Sequence, residues 1–175
     1  RRSSDLEVKD EQGAVTDVIT CKNIMIATGA RPRMIPGIEV DREYILTSTE
    51  AMLQQKAPQS MIIMGAGAIG IEFAYFYQSF GTAVTVIEMQ DRILPVEDDD
   101  VCKELRKSLE RDGMKILTEA KVQSAKKKGK GVEVIIEKKD GTKETLTADL
   151  ALNAIGVQGN IENIGLENVG VFEQT

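Results

Sequence analysis

The period of apolar positions along this chain changes twice, and each change marks a new region. Over residues 4–28, LEVKD and AVTDVIT alternate apolar and polar residues about a bend at Glu11-Gln12-Gly13. That is the pattern of a β-hairpin, and the apolar run NIMIAT at 23–28 predicts a strand after it. Arg31-Pro32-Arg33-Met34-Ile35-Pro36-Gly37 then carries two of the four prolines. Each proline pushes its predecessor out of helical geometry, so this stretch reads as an extended connector. Thr47-Ser48-Thr49-Glu50 has the form of a capping box and predicts a helix to about Gln55, with Pro58 closing the connector.

A short apolar strand at 61–64 opens the second region. Helical spacing follows over 69–80, with Ile69, Phe73, Phe76, Tyr77 and Phe80 on one face. Five of the seven aromatic residues fall between positions 73 and 80, and a stripe at that spacing reads as core. Residues 83–87, AVTVI, are apolar throughout, as a central parallel strand should be. Asp98-Asp99-Asp100 opens a second helix bearing Val101, Leu105 and Leu109 and ending at Asp112-Gly113. Three acids at a helix start read as a cap and dipole partners rather than a metal site. A strand at 115–118 completes a parallel trio. Alternation then replaces the helical period: 121–127, 132–138 and 142–148 form an antiparallel meander with its last bend at Asp140-Gly141, and an apolar strand at 149–155 ends at Gly156. The predicted class is α/β, a Rossmann-like parallel sheet with a β-meander crossover.

Chemistry enters at Gly65-x-Gly67-x-x-Gly70, which lies between the strand at 61–64 and the helix after it. Gly65 permits the tight turn, Gly67 lets backbone approach a pyrophosphate, and Gly70 lets the helix lie close on the strand. The helix start offers free N–H groups and positive dipole to the phosphates. Glu88, eighteen residues past Gly70, ends the second strand where a carboxylate would hydrogen-bond the adenosine ribose. The motif implies NAD(H) as ligand.

At 175 residues the chain can bury one full core and some more. A net charge of −6 argues against nucleic acid or an anionic membrane as partner. The basic run Lys126-Lys127-Lys128-Gly129-Lys130 sits at a hairpin bend and reads as solvated charge. Cys21 and Cys102 are too far apart for a C-x-x-C redox pair, and a reducing, cytoplasmic setting is expected. The chain has no histidine, the commonest acid/base group and metal ligand, so it predicts no catalytic residue and no metal site of its own. Starting at Arg1-Arg2 without an initiating Met or signal peptide, the sequence reads as a piece of something larger.

The runs GAGAIGIEFA, VTVIE and DRILPVEDDD, with IATGARPR upstream, closely resemble the dihydrolipoamide dehydrogenases of the FAD-dependent pyridine nucleotide-disulfide oxidoreductase family. The resemblance implies a first FAD-domain segment and connector at 1–47, an NAD-binding domain at 48–156 and the return toward the FAD and central domain at 157–175. The sheet would thus be flanked by remnant strands of an FAD domain. It implies that Gly65, Ala66, Gly67, Ala68, Ile69 and Gly70 hold the NAD phosphates and Glu88 the ribose. Val122, an ordinary sheet valine on its own terms, would line the adenine slot, and Gly156 would lie by the nicotinamide half. Glu72 would meet a lysine beside the flavin, and Thr28, Gly29 and Ala30 would touch FAD in the intact enzyme. The family's G-R-x-P-N corner is here Gly156-Val157-Gln158-Gly159-Asn160, so it lacks the arginine charge.

The resemblance further implies an enzyme that passes electrons from dihydrolipoamide on lipoyl domains of 2-oxo acid dehydrogenase complexes to NAD, as a homodimer formed through a domain outside this sequence. The redox cysteine pair and the histidine would also lie outside it. A related disulfide reductase, an NADH oxidase, or a stand-alone NAD-sensing module are the other readings.

Overall fold

Parallel strands must be apolar on both faces, and the runs with that character assemble into one sheet. The computed structural model describes residues 5–171. Its elements are β1 (Asp5–Lys9), β2 (Val15–Thr20), β3 (Ala30–Pro32), β4 (Ile45–Leu46), α1 (Ser48–Met52), β5 (Ser60–Met64), α2 (Ala68–Ser79), β6 (Ala83–Ile87), α3 (Asp99–Arg111), β7 (Lys115–Leu117), β8 (Ala120–Lys128), β9 (Gly131–Lys138), β10 (Lys143–Ala148), β11 (Leu150–Asn153) and β12 (Val157–Gly159), then a 3₁₀ turn at Leu166–Val169. The chain divides into two units: one runs up to Arg31 and resumes at Gly159, and the other is Pro32–Gln158. The outermost residues of the expected flanking segments, 1–4 and 172–175, lie outside the described residues.

In the larger unit five strands lie in the order β4-β11-β5-β6-β7, all parallel. Sequence order runs outward from β5 through β6 to β7, while β11 returns on its other side. The carboxyl end of β5 is therefore a topological switch point, where open α/β sheets take ligands. Ser60 and Asp149 lock β5 to β11 reciprocally: the Ser60 N–H donates to the Asp149 carboxylate at 2.9 Å and the Asp149 N–H to Ser60 Oγ at 3.0 Å. Met61, Ile63 and Met64 are fully buried, each worth roughly 1.5–3 kcal/mol of transfer free energy. The meander β8-β9-β10 covers one face through Val132, Val134 and Ile136, while α2 and α3 cover the other. The α/β class and the meander crossover are as the sequence predicts.

Four local expectations are corrected. Residues 23–28 are not a strand: Ile24, Met25 and Ile26 are 46%, 90% and 47% exposed, with no neighbouring strand to pair with among the described residues, and β3 begins only at Ala30. The first helix stops at Met52 rather than Gln55, although its Thr47–Glu50 capping box forms as expected. On α3, Val101 points outward, and Cys102, Leu105 and Leu109 face the core.

The largest correction concerns α2. Tyr77 is buried and Ile69 and Phe73 pack against the core as predicted, but the buried face also takes Gly70, Ile71 and Ala74, whereas Phe76 and Phe80 are 51% and 66% exposed. Gly70 and Ala74 on this face let the helix axis approach β5. The outward aromatics instead border a groove of about 670 Å³ between α2 and the 51–57 segment. The buried Tyr77 hydroxyl crosses to that segment and donates to the Ala51 carbonyl at 2.7 Å.

Candidate nucleotide site

The three motif glycines differ in what surrounds them. Gly65 adopts φ +107°, and a Cβ there would lie 2.4 Å from the Ala154 carbonyl oxygen. A Cβ on Gly70 would lie 2.0 Å from the Gly65 carbonyl oxygen, so both positions admit only glycine without movement. Gly67 has an ordinary φ of −71°, and a Cβ on it would meet nothing within 4 Å. The first bond of α2 runs from the Ile71 N–H to the Gly67 carbonyl at 3.0 Å. That leaves the N–H groups of Ala68, Ile69 and Gly70 outside the helix ladder, at the positive end of the dipole. An anion approaching Gly67 therefore finds free donors and no side chain in its path.

Glu88 follows β6 and is fixed into the same turn. Its carboxylate accepts the Ala66 N–H and the Gln90 N–H, both at 2.8 Å. Its backbone is held as well, by bonds to the Leu117 carbonyl at 2.8 Å and from the Ala120 N–H at 2.9 Å. Each carboxylate oxygen keeps a lone pair for a ribose hydroxyl. The open cradle at Gly67, the unused donors and this half-buried carboxylate fit a dinucleotide with an unmodified adenosine ribose.

The structure thus brings Gly65, Ala66, Gly67, Ala68, Ile69, Gly70 and Glu88 together. Glu72 lies one turn further along α2, exposed and beside Phe73 and Phe76 in the aromatic groove. Val122 is half-buried in β8, paired with Ile136 and packed into the meander core, with a bulge before Ser124. Gly156 follows β11 at φ +142°, its carbonyl accepting the Arg33 N–H at 2.9 Å.

Thr28, Gly29 and Ala30 belong to the smaller unit, where Asn160 interlocks with them. The Asn160 N–H donates to the Gly29 carbonyl at 2.9 Å and its amide Nδ2 to the Thr28 carbonyl at 3.1 Å. The Arg31 guanidinium bonds Asn160 Oδ1 at 2.9 Å and pairs with Glu162. Hydrogen bonding from Arg31 holds the Glu162 carboxyl down at about 2. The Arg31–Glu162 pairing spans 131 positions, and no local pattern announces it.

The acids at the start of α3 have ordinary partners. Asp98 caps the helix by accepting from the Asp100 and Val101 N–H groups, and Asp99 pairs with Arg92 and Lys103. Among the described residues no group of three or more His, Cys, Asp or Glu side chains could hold a metal ion. The lysine run is also paired, Lys126 with Glu39, Lys127 with Glu43 and Lys128 with Glu133. Among the described residues no helix is long and apolar enough to cross a membrane.

Residues 1–174 match the pyridine nucleotide-disulphide oxidoreductase family. The chain belongs to that family. It is 51% identical over 152 residues to a dihydrolipoyl dehydrogenase of Rhizobium etli, covering 87% of this chain and 32% of the relative. A dihydrolipoyl dehydrogenase of Bacillus subtilis is 44% identical over 171 residues, covering 97% and 36%. Among solved structures, LpdA from Mycobacterium tuberculosis superposes with a TM-score of 0.82 at 31% identity, covering 98% of this chain and 38% of that one. The HOCl-induced flavoprotein disulfide reductase RclA from Escherichia coli gives a TM-score of 0.75 at 28% identity, covering 91% and 36%. The chain spans about a third of the length of these curated relatives.

Proposed function

We infer that this chain is the NAD(H)-binding domain, at about 48–156, of a flavoprotein dihydrolipoamide dehydrogenase. Strips of an FAD domain at 1–47 and 157–175 flank it. The observation that carries this reading is the Gly65–Gly70 turn with the Glu88 carboxylate bound to the Ala66 N–H. In this reading Gly67, Ala68 and Ile69 bind the pyrophosphate through their N–H groups, and Glu88 holds the adenosine ribose. Val122 lines the adenine slot, Gly156 borders the nicotinamide half, Glu72 faces the flavin side, and Thr28, Gly29 and Ala30 contact FAD in the whole enzyme. NAD, when bound, supplies the hydride acceptor; the chain's own residues bind and orient it.

The whole protein oxidises dihydrolipoamide on lipoyl domains of 2-oxo acid dehydrogenase complexes, in the cytoplasm and as a homodimer. The redox cysteines and the proton-handling histidine come from the rest of that protein, so this chain alone is inactive. Similarity to RclA supports a related disulfide reductase as the second reading. Calorimetric titration of the chain with NADH tests the domain assignment: saturable binding that Glu88→Ala weakens is expected, and the absence of binding refutes it. The parent reading frame separates a dithiol enzyme from an NADH oxidase, since the dithiol enzyme needs two nearby cysteines ahead of residue 1 and an oxidase can use one.

A further inference from the structure

Ala66 is gripped at both of its backbone groups. Its N–H donates to the Glu88 carboxylate, and its carbonyl accepts the Leu94 N–H at 2.8 Å. In a trans peptide the carbonyl and the following N–H point in opposite directions. Anchoring the Ala66 carbonyl on Leu94 therefore turns the Gly67 N–H away from Leu94, and Gly67 borders open space.

Leu94 reaches Ala66 from a strap, residues 89–98, that joins β6 to α3 and is itself firmly seated. Ile93 is buried, and Leu94 packs against the same core. The Leu94 carbonyl accepts from the Cys102 thiol at 3.3 Å and the Glu97 N–H at 2.9 Å. Arg92 spans the far end, donating to the Pro95 carbonyl at 2.8 Å and to Asp99 at 2.6 Å. Leu94 itself sits at φ +46°, a left-handed conformation uncommon for a residue with a side chain. The fold retains this conformation at the residue whose N–H holds the Ala66 carbonyl.

We propose that Leu94 is a positioning residue for nucleotide binding: acting through the Ala66 carbonyl, it aims the Gly67 N–H at the phosphates. The inference rests on the reading of the turn as an NAD site. It assigns the strap to the pyrophosphate and leaves the adenosine to Glu88. A β-branched side chain opposes left-handed backbone, whereas an unbranched one of similar volume tolerates it as leucine does.

The test compares Leu94→Val with Leu94→Met in the ¹⁵N-labelled chain, titrating ADP-ribose and adenosine separately by NMR. Leu94→Val should bind ADP-ribose about tenfold more weakly, within the worth of one hydrogen bond to a charged group, with adenosine affinity unchanged and the Gly67 amide resonance displaced in the free protein. Leu94→Met should match the wild type for both ligands. Unchanged ADP-ribose affinity in Leu94→Val, or equal loss of both ligands, overturns the proposal. Should Leu94→Val fail to fold, amide exchange in the wild type decides. The Leu94 N–H is expected to be protected throughout and the Gly67 N–H only with ADP-ribose bound; a freely exchanging Leu94 N–H overturns the proposal. A wild type that binds neither ligand refutes the nucleotide reading itself and this inference with it, whereas a wild type that binds while Leu94→Val behaves identically refutes the strap alone.

Discussion

Replacing the glycines of the turn one at a time should separate binding from folding, because the structure gives Gly67 and Gly70 opposite surroundings. At Gly67, valine meets no atom at its Cβ, and the φ of −71° lies where any residue is comfortable. The helix cap loses about 0.5–1 kcal/mol when glycine gives way to an aliphatic residue. The restricted unfolded chain returns about 0.4–1 kcal/mol, so Gly67→Val should leave stability near the wild type. Binding should collapse, since the branched side chain fills the space that the phosphate must enter. Losing even two hydrogen bonds to a charged group, at roughly 1.5–3 kcal/mol each, weakens NADH by about a hundredfold or more. At Gly70 the added methyl would stand 2.0 Å from the Gly65 carbonyl oxygen, which belongs to backbone and cannot swing aside. Overpacking of this kind costs about 1–3 kcal/mol, so Gly70→Ala should melt several degrees lower, at about 2–4 °C per kcal/mol for a chain of this size. Thermal melts and calorimetric titration with NADH on the same samples measure both effects. A Gly67→Val chain that binds normally, or a Gly70→Ala chain as stable as the wild type, would refute the reasoning.

The Glu88 carboxylate, fixed by the Ala66 and Gln90 N–H groups, should repel a 2′-phosphate placed about 4 Å away by roughly 4 kcal/mol at an effective dielectric near 20, and by about 1 in bulk water. NADH should therefore bind at least about tenfold tighter than NADPH, and equal affinities in parallel titrations would contradict that role. Glu162 titrates lower in the folded chain than its ordinary 4.5 because Arg31 bonds its charged form. A depressed carboxylate contributes stability above its unfolded value and loses it as pH falls from about 4.5 toward 2. An NMR titration midpoint near 4.5, unmoved by Arg31→Ala, would rule the pair out, and high salt should weaken it because both side chains are exposed. Glu72 is exposed on α2, so Glu72→Gln should change the stability of this chain by no more than about 0.5 kcal/mol; a larger drop in the melt would make it a structural acid.

What the sequence discloses is the part of the structure decided by neighbours along the chain. The glycine turn, the capping box at Thr47 and the bends at Gly13 and Gly141 depend on backbone conformations that single residues specify, and all four lie where the pattern puts them. The interior strands β5 and β6 are legible because burial on both faces leaves them mostly apolar, with Ser60 and Thr85 the polar exceptions. Where the outcome depends on a distant surface, the same reading fails. The NIMIAT run has strand composition, yet a strand exists only through a partner, and its Met25 stands 90% exposed. On α2, the predicted face is right for Ile69, Phe73 and Tyr77, which meet the core, and fails at Phe76 and Phe80, because the docking distance is set by the small residues Gly70 and Ala74. Gly70 under the Gly65 carbonyl brings the helix in, and Phe76 and Phe80 are thereby turned out.

The strap shows the same limit at the level of one peptide group. DRILP carries no periodic signal, and Leu94 is an unremarkable residue until the Ala66 carbonyl is found on its N–H. Glu88 is legible as an acid at the end of a strand, whereas its bond to the Ala66 N–H depends on β5 and β6 ending level, with Met64 opposite Ile87, so that Glu88 lies beside the turn. The chemistry of the turn thus has two sources. Residue types along the six positions from Gly65 to Gly70 supply the cradle, and the Glu88 carboxylate and the Leu94 N–H, 22 and 28 positions past Ala66, hold Ala66 at both of its backbone groups. Substitutions in the strap should therefore act on a ligand that the strap never touches, because they change the orientation of a donor rather than its presence.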